Sequence, residues 1–362
     1  MRRRRFLRAG LGLAAAGATT ASAGCLGVFE TQPAGIPPVP ENRPDAVYVP
    51  SHEEGMASVG MGTAGDYEFG LMYSFAHRFW NVNGRDVEKT GVESSGDDAV
   101  HLMAVVWDPE TKLALPETGM DVDISRDGEF VSQETIYPML SQVMGFHYGA
   151  NFTLEGDGTY DVNVSVGGMS TRRTGSFAER FADPASTTIE FEYSSQRKDG
   201  LSFETRDDAG EKGALEPNSM MDADSTAPAV EDLPGRVVGQ GTSNDAVLVT
   251  TVLDAPPEGV DGDGQYLAVS ARTPYNRMVV PAMGLDGAVT RDGQSVFEGE
   301  LVRTFDPDLG YHYGAPVESL QSGDDVTLSV TTWPQTARHE GYETAFGGLL
   351  GDGMPDVTFT AK

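Results

Sequence analysis

The sequence predicts an all-β protein of two antiparallel β-sandwiches, and three observations lead there: short alternating apolar runs, turn residues between them, and recurrence of the first block in the second. Tyr67, Phe69, Leu71, Tyr73 and Phe75 alternate with smaller residues, the period-2 pattern of a half-buried strand. Thr188 to Tyr193, Val247 to Leu253 and Asp325 to Val330 repeat the pattern. Clusters of Gly, Asp, Asn and Pro punctuate these runs, and no stretch sustains a long amphipathic helical period.

The order of elements begins with an export signal over residues 1–24. Met1 is followed by four arginines, then Phe6 and Leu7, and small or apolar residues run from Leu11 to Ala23. A basic start, a short apolar stretch and small residues before a cut site make a secretory signal. The paired arginines before Phe6-Leu7 resemble a twin-arginine signal, which exports folded protein. The apolar stretch is too short and too rich in Ala and Gly to span a bilayer. Ser22-Ala23-Gly24-Cys25 resembles a lipobox, and Cys25 is the only cysteine. It therefore has no disulfide partner within the chain and is read as a lipidation site holding the protein at the outer face of the cell membrane. Residues 25–46 form a Pro-rich tether, 47–205 the first sandwich, 206–235 an acidic linker and 236–362 the second sandwich.

The second block repeats the first at a constant offset of 165 residues from His101 to Ala150. Leu102, Pro109, Pro116, Gly119, Asp121 and Arg126-Asp127-Gly128 recur as Leu267, Pro274, Pro281, Gly284, Asp286 and Arg291-Asp292-Gly293. His147-Tyr148-Gly149-Ala150 recurs as His312-Tyr313-Gly314-Ala315. That period is a whole domain, far longer than a solenoid repeat, and points to internal duplication. Arg126-Asp127-Gly128 and its copy are expected to form hairpin turns.

Composition excludes some partners. Asp and Glu number 55 against 25 Lys and Arg, a formal net charge of -30. Such a surface repels nucleic acid and anionic headgroups. The acids are spread along the chain and lysine is scarce, the mark of a proteome adapted to molar salt, where charge is screened. There is no nucleophile elbow, phosphate loop or paired-cysteine site, so the chain is read as a non-enzyme.

The chemistry-bearing segment is Tyr137 to Asn151, which holds Met139, Met144 and His147. Imidazole suits copper, zinc and iron, and thioether sulfur favours cuprous copper over hard ions. The alternative is that both methionines fill an irregular core and His147 bonds to backbone. Pro138-Met139 and Gly145-Phe146-His147-Tyr148-Gly149-Ala150-Asn151, followed by a Gly-rich hairpin, resemble the bacterial periplasmic Fe²⁺-transport protein family. The resemblance covers roughly residues 46–195 and is most specific over 137–166.

It implies an immunoglobulin-like sandwich that binds copper or iron-type ions beside an iron permease, with Met139 and His147 as ligands. The Met139–His147 spacing is one residue longer than the family's, and the family's acidic position is lost, with Met144 nearby. Only His77 stands in register with the family's early histidines. The family's late histidine falls at Arg172-Arg173-Thr174-Gly175 and is missing there. The second block has Arg338-His339-Glu340-Gly341 together with His312, but carries Thr304 where the first has Met139. A degenerate site and a site shared between the blocks both satisfy these partial sets. His101 is read as a packing residue, and His52 as a loop residue that with Glu53 and Glu54 could serve a surface metal. The resulting expectation is an extracytoplasmic lipoprotein that binds copper or iron and assists its uptake. Its alternative is a metal-free structural or interaction module of the cell surface.

Overall fold

The computed structural model describes residues 36–91, 99–218, 221–351 and 353–362; the segment read as an export signal, Cys25 and the first part of the segment read as a tether lie outside the described residues. The described residues belong to one compact unit, Ala34–Lys362. The chain is nearly all β. Its helical content among the described residues is the five-residue Ser195–Asp199 and two 3-10 turns, Gly175–Phe177 and Val230–Asp232. None is long and apolar enough to cross a membrane.

Two pairs of sheets form the layers. In the first half an eight-stranded sheet has Ala57–Ala64 at one edge, then Tyr67–Phe75, Ala99–Trp107, Gly145–Thr153 and Tyr137–Ser141. It faces a four-stranded sheet ordered Ala185–Tyr193, Gly158–Val166, Asp121–Arg126, Glu129–Thr135. In the second half Val302–Asp306, Gly310–Val317, Gln265–Arg272, Ala246–Leu253 and Arg236–Ser243 lie side by side. Their companion sheet is ordered Gln294–Glu300, Gly284–Arg291, Asp325–Thr332, Val357–Thr360. Leu71, Leu102, Tyr148, Val122, Val162 and Phe191 meet between the first pair, and Leu267, Tyr313, Leu285, Val326 and Leu328 between the second. The two cores belong to one continuous apolar cluster.

The tyrosine of each His-Tyr-Gly-Ala motif fixes its sandwich in the same way. Tyr148 Oη accepts the Thr118 N–H at 3.0 Å, and Tyr313 Oη accepts the Met283 N–H at 3.1 Å and donates to the Val280 carbonyl at 3.0 Å. Both rings are buried, so the hydroxyl satisfies a loop amide that would otherwise lose its partner to desolvation. The expected hairpins are present: Asp127 and Gly128 have φ of 52° and 80°, and Asp292 and Gly293 of 50° and 77°. Positive φ at both central residues is the type I′ geometry that matches strand twist.

Burial departs from the half-buried expectation at Tyr67–Phe75, where Gly70 and Met72 are buried along with the alternating aromatics. The reason is the 206–235 segment, which covers the outer face of the sheet. Met221 seats its sulfur over Gly70 beside Trp107, and Leu113 bridges to Asp224. Ala185–Tyr193 keeps clean alternation because its outer face meets solvent.

A reciprocal pairing joins the halves. Ala337–Arg338, from the second half, runs parallel to Tyr137–Ser141, with Ala337 opposite Met139 and Arg338 opposite Leu140. Arg172–Arg173, from the first half, runs parallel to Val302–Asp306, with Arg172 opposite Thr304 and Arg173 opposite Phe305. The two pairings are related by the same 165-residue offset as the repeat. Beyond Ala337–Arg338 the larger sheet continues through Phe79–Asn83 to Asp86–Thr90.

Candidate metal centre

Strand parity puts the chemistry on one face. Tyr137–Ser141 and Gly145–Thr153 are antiparallel with Met139 directly opposite His147, and Gly145–Thr153 places Asn151 opposite His101 on Ala99–Trp107. Side chains two residues apart share a face, so His147, Gly149 and Asn151 point one way while Phe146, Tyr148, Ala150 and Phe152 enter the core. Ala337 sits beside Met139, and His339, two residues on, follows onto the same face. His77 arrives from the connection after Tyr67–Phe75. Its backbone is held by Asn151, whose amide Nδ2 donates to the His77 carbonyl at 2.9 Å.

Four imidazoles converge. Ring centroids of His77 and His101 are 4.1 Å apart, His77 and His339 4.7 Å, His101 and His339 5.3 Å, and His147 and His339 5.1 Å. Ligand nitrogens of His77, His101 and His339 all lie within 4.8 Å of one another. Met139 is fully buried, its Sδ 3.3 Å from His339 Nε2. His101 and His147 are fully buried; His77 and His339 are half-buried.

Each of three rings is oriented by a partner on Nδ1. His147 Nδ1 donates to the Gly145 carbonyl at 3.1 Å, and His101 Nδ1 to Asn151 Oδ1 at 2.9 Å. His77 Nδ1 lies 3.0 Å from Glu54 Oε2. A carbonyl or carboxylate can only accept, so each ring carries a proton on Nδ1, and in His101 and His147, which burial keeps neutral, Nε2 keeps its lone pair. The Nε2 atoms of His77, His101 and His147 are buried and have no hydrogen-bond partner. A buried polar atom left unpaired costs about 1–3 kcal/mol, so the fold leaves these three Nε2 atoms bare against a desolvation cost.

Burial keeps His101, His147 and His339 neutral. Burial holds His147 down at about 4. Burial together with the neighbouring His77 holds His101 and His339 well below the ordinary imidazole value. Burial works against the Glu54 charge, yet His77 and His52 outweigh it and hold the carboxyl at about 2. Glu54 Oε1 also meets His52 Nε2 at 2.9 Å. An imidazole whose other nitrogen is bonded to a carboxylate or carbonyl is a stronger, pre-oriented metal ligand.

A pocket of about 100 Å³ adjoins the cluster, lined by His52, Glu54, Met56, His77, Met144 and His339 among others. Gly149 forms the floor between two ligands. A Cβ there would lie 2.8 Å from His101 Nε2 and 3.1 Å from Met139 Sδ. Gly149→Ala is therefore expected to weaken metal binding by about tenfold or more, read by competition titration, because overpacking displaces ligand atoms.

Of the residues singled out from sequence, Met139, His147, His77 and His339 come together. Met144 lines the adjoining pocket and packs against Val105, Trp107 and Ala114. His312 stands in the second half with both ring nitrogens engaged: Nδ1 with the Gly310 carbonyl at 3.0 Å and Nε2 with Tyr266 Oη at 3.0 Å. His101, read from sequence as packing, is buried as expected, but its free nitrogen faces the cluster. Its alignment with Tyr266 hid this role; its strand pairing with Asn151 reveals it. Glu54 belongs beside His77, where it orients the ring.

Residues 231–360 match a family model described as a domain of unknown function, DUF7350. No curated protein matches the chain. The chain is similar to a copper-bound glutamate-to-glutamine variant of FetP from uropathogenic Escherichia coli strain F11, at 20% identity over 38% of this chain and 97% of that one, with a TM-score of 0.27. It is similar also to FetP of the same strain in its as-isolated form, recombinantly expressed in the periplasm of Escherichia coli, at 19% identity over 40% of this chain and 96% of that one, again with a TM-score of 0.27. The chemistry of the site rests on its own geometry. Imidazole nitrogens with one thioether suit copper first, then ferrous iron or zinc, and exclude magnesium and calcium.

Proposed function

We propose that the protein is a non-catalytic, extracytoplasmic carrier that captures a copper or iron ion and assists its uptake, held at the membrane by a lipid on Cys25. One observation carries the metal reading: ligand nitrogens of His77, His101 and His339 lie within 4.8 Å of one another beside the Met139 thioether, and the Nε2 atoms of His77 and His101 are buried without a partner among the described residues. A cation would satisfy these donors at once. The half-buried His77 and His339 at the pocket leave a way in and out, as suits cargo that must be handed on. The export-signal reading of residues 1–24 and the resemblance of the His-Tyr-Gly-Ala-Asn segment to iron-transport proteins support the location and a permease as the receiving partner.

The test is equilibrium titration of residues 26–362 in molar salt with cuprous, cupric and ferrous ions. Saturable copper binding is expected, weakened at least about tenfold by His147→Ala, which is about 1.4 kcal/mol, and unchanged by His312→Ala. Absence of saturable binding to any of the three ions overturns the reading and leaves the cluster a packing element of a surface module.

A further inference from the structure

We infer that the second half contains the counterpart of the metal centre, closed by the guanidinium of Arg172, so that the chain has one exchangeable ion site and one sealed by its own cation. This rests on the metal reading of the first half. At the 165-residue offset, His147 corresponds to His312, Met139 to Thr304, His101 to Tyr266, Gly149 to Gly314, and His339 to Thr174. The residue brought across from the opposite half is Ala337 in the first site and Arg172 in the second.

The replacements are chemically coherent. Where the first site presents nitrogen and sulfur donors that need a metal, the second presents oxygens that need a hydrogen-bond donor. Arg172 Nε and Nη2 donate to Thr304 Oγ1 at 2.9 and 2.7 Å, and Nη2 donates to Tyr266 Oη at 2.9 Å and to the Gly314 carbonyl at 2.9 Å. Tyr266 in turn serves His312 Nε2 at 3.0 Å, the same atom that is left bare on His147. The hydroxyl accepts from the guanidinium and donates to the imidazole, while the two Nη2 protons are shared among Thr304, Tyr266 and the Gly314 carbonyl. Alanine at the equivalent position of the first site brings no cation against Met139. The segment after Ala246–Leu253 supplies no imidazole in place of His77, since residues 254–264 contain no histidine.

The experiment counts cuprous equivalents, by titration against a competing chelator, in the wild-type chain and in Arg172→Ala/Thr304→Met/Tyr266→His. One equivalent in wild type and two in the triple variant, the second abolished by adding His312→Ala, is the expected result. Two equivalents in wild type with one lost on His312→Ala overturns the inference, as does a folded triple variant that still binds one. Zero equivalents in wild type removes the metal reading itself. A second measurement decides the guanidinium role even then, and covers a triple variant that fails to fold. Arg172→Gly is expected to melt lower than wild type and to regain melting temperature on addition of millimolar guanidinium, which leaves wild type unmoved. A variant that melts like wild type, or one with no rescue, overturns the assignment.

Discussion

His339→Ala will lower the affinity for copper by about a hundredfold, close to 3 kcal/mol, although His339 belongs to the half of the chain opposite Met139 and His147. Its Nε2 reaches Met139 Sδ at 3.3 Å, and its ring meets those of His77, His101 and His147. Alanine removes a donor and opens the half-buried side of the centre to water through the adjoining pocket. The backbone N–H of residue 339, which donates to the Leu140 carbonyl at 3.1 Å, is untouched by the change. The strand exchange should therefore persist, and the unfolding midpoint of the metal-free variant should stay near that of wild type. Competition titration reads the affinity and urea unfolding the fold. Equal affinity in the variant would show that the first half binds its ion unaided. By contrast His312→Ala, at the counterpart of His147, will leave affinity unchanged while destabilising the second half, because its Nε2 bonds Tyr266.

Acidification will destabilise the metal-free protein steeply between pH 6.5 and pH 4. Burial lowers His147 and His312 each from 6.5 to about 4 in the folded chain. Between those values the unfolded chain binds a proton at each position and the folded chain does not. Stability rises with pH wherever the unfolded state holds more protons, so it falls as pH drops through this window and levels off below about 4. Each histidine contributes about 3 kcal/mol over the whole window, and the two together approach the total stability of an ordinary domain. Urea midpoints measured without metal at pH 7 and pH 5 read the effect. A midpoint that does not move would mean that the two rings accept protons in the folded state. Copper binds the folded chain's neutral imidazoles, so saturating copper will raise stability at pH 7.

The fold class was legible because β structure announces itself locally. Period-2 runs such as Ile189, Phe191 and Tyr193 and turns such as Arg126-Asp127-Gly128 need only neighbouring residues to be read. Met139 and His147 were legible for the same reason, lying on either side of one tight turn in a motif rich in donors. His101 was not: it is an imidazole inside the apolar run Ala99–Trp107, and a lone histidine in such a strand reads as packing. Its partner Asn151 is 50 residues away, and the register that opposes them is set by the whole sheet. The burial of both faces of Tyr67–Phe75 was likewise hidden, because the cover comes from Met221 in a segment whose composition reads as linker.

The sequence by itself determined the strands, the turns, the repeat at 165 residues and the presence of thioether and imidazole donors. Side-chain alternation and turn chemistry act over a few residues, and a repeat shows in the letters. Only the tertiary structure decided which donors meet. Two short parallel pairings, Ala337–Arg338 on Tyr137–Ser141 and Arg172–Arg173 on Val302–Asp306, carry His339 into one centre and Arg172 into the other. Pairings of two residues have no periodicity to detect, and their partners lie more than 130 residues apart. Long-range closure of that kind is selected by the packing of the whole chain, and there the two halves differ: His147 Nε2 has no partner among the described residues, and His312 Nε2 is bonded to Tyr266, which Arg172 serves in turn.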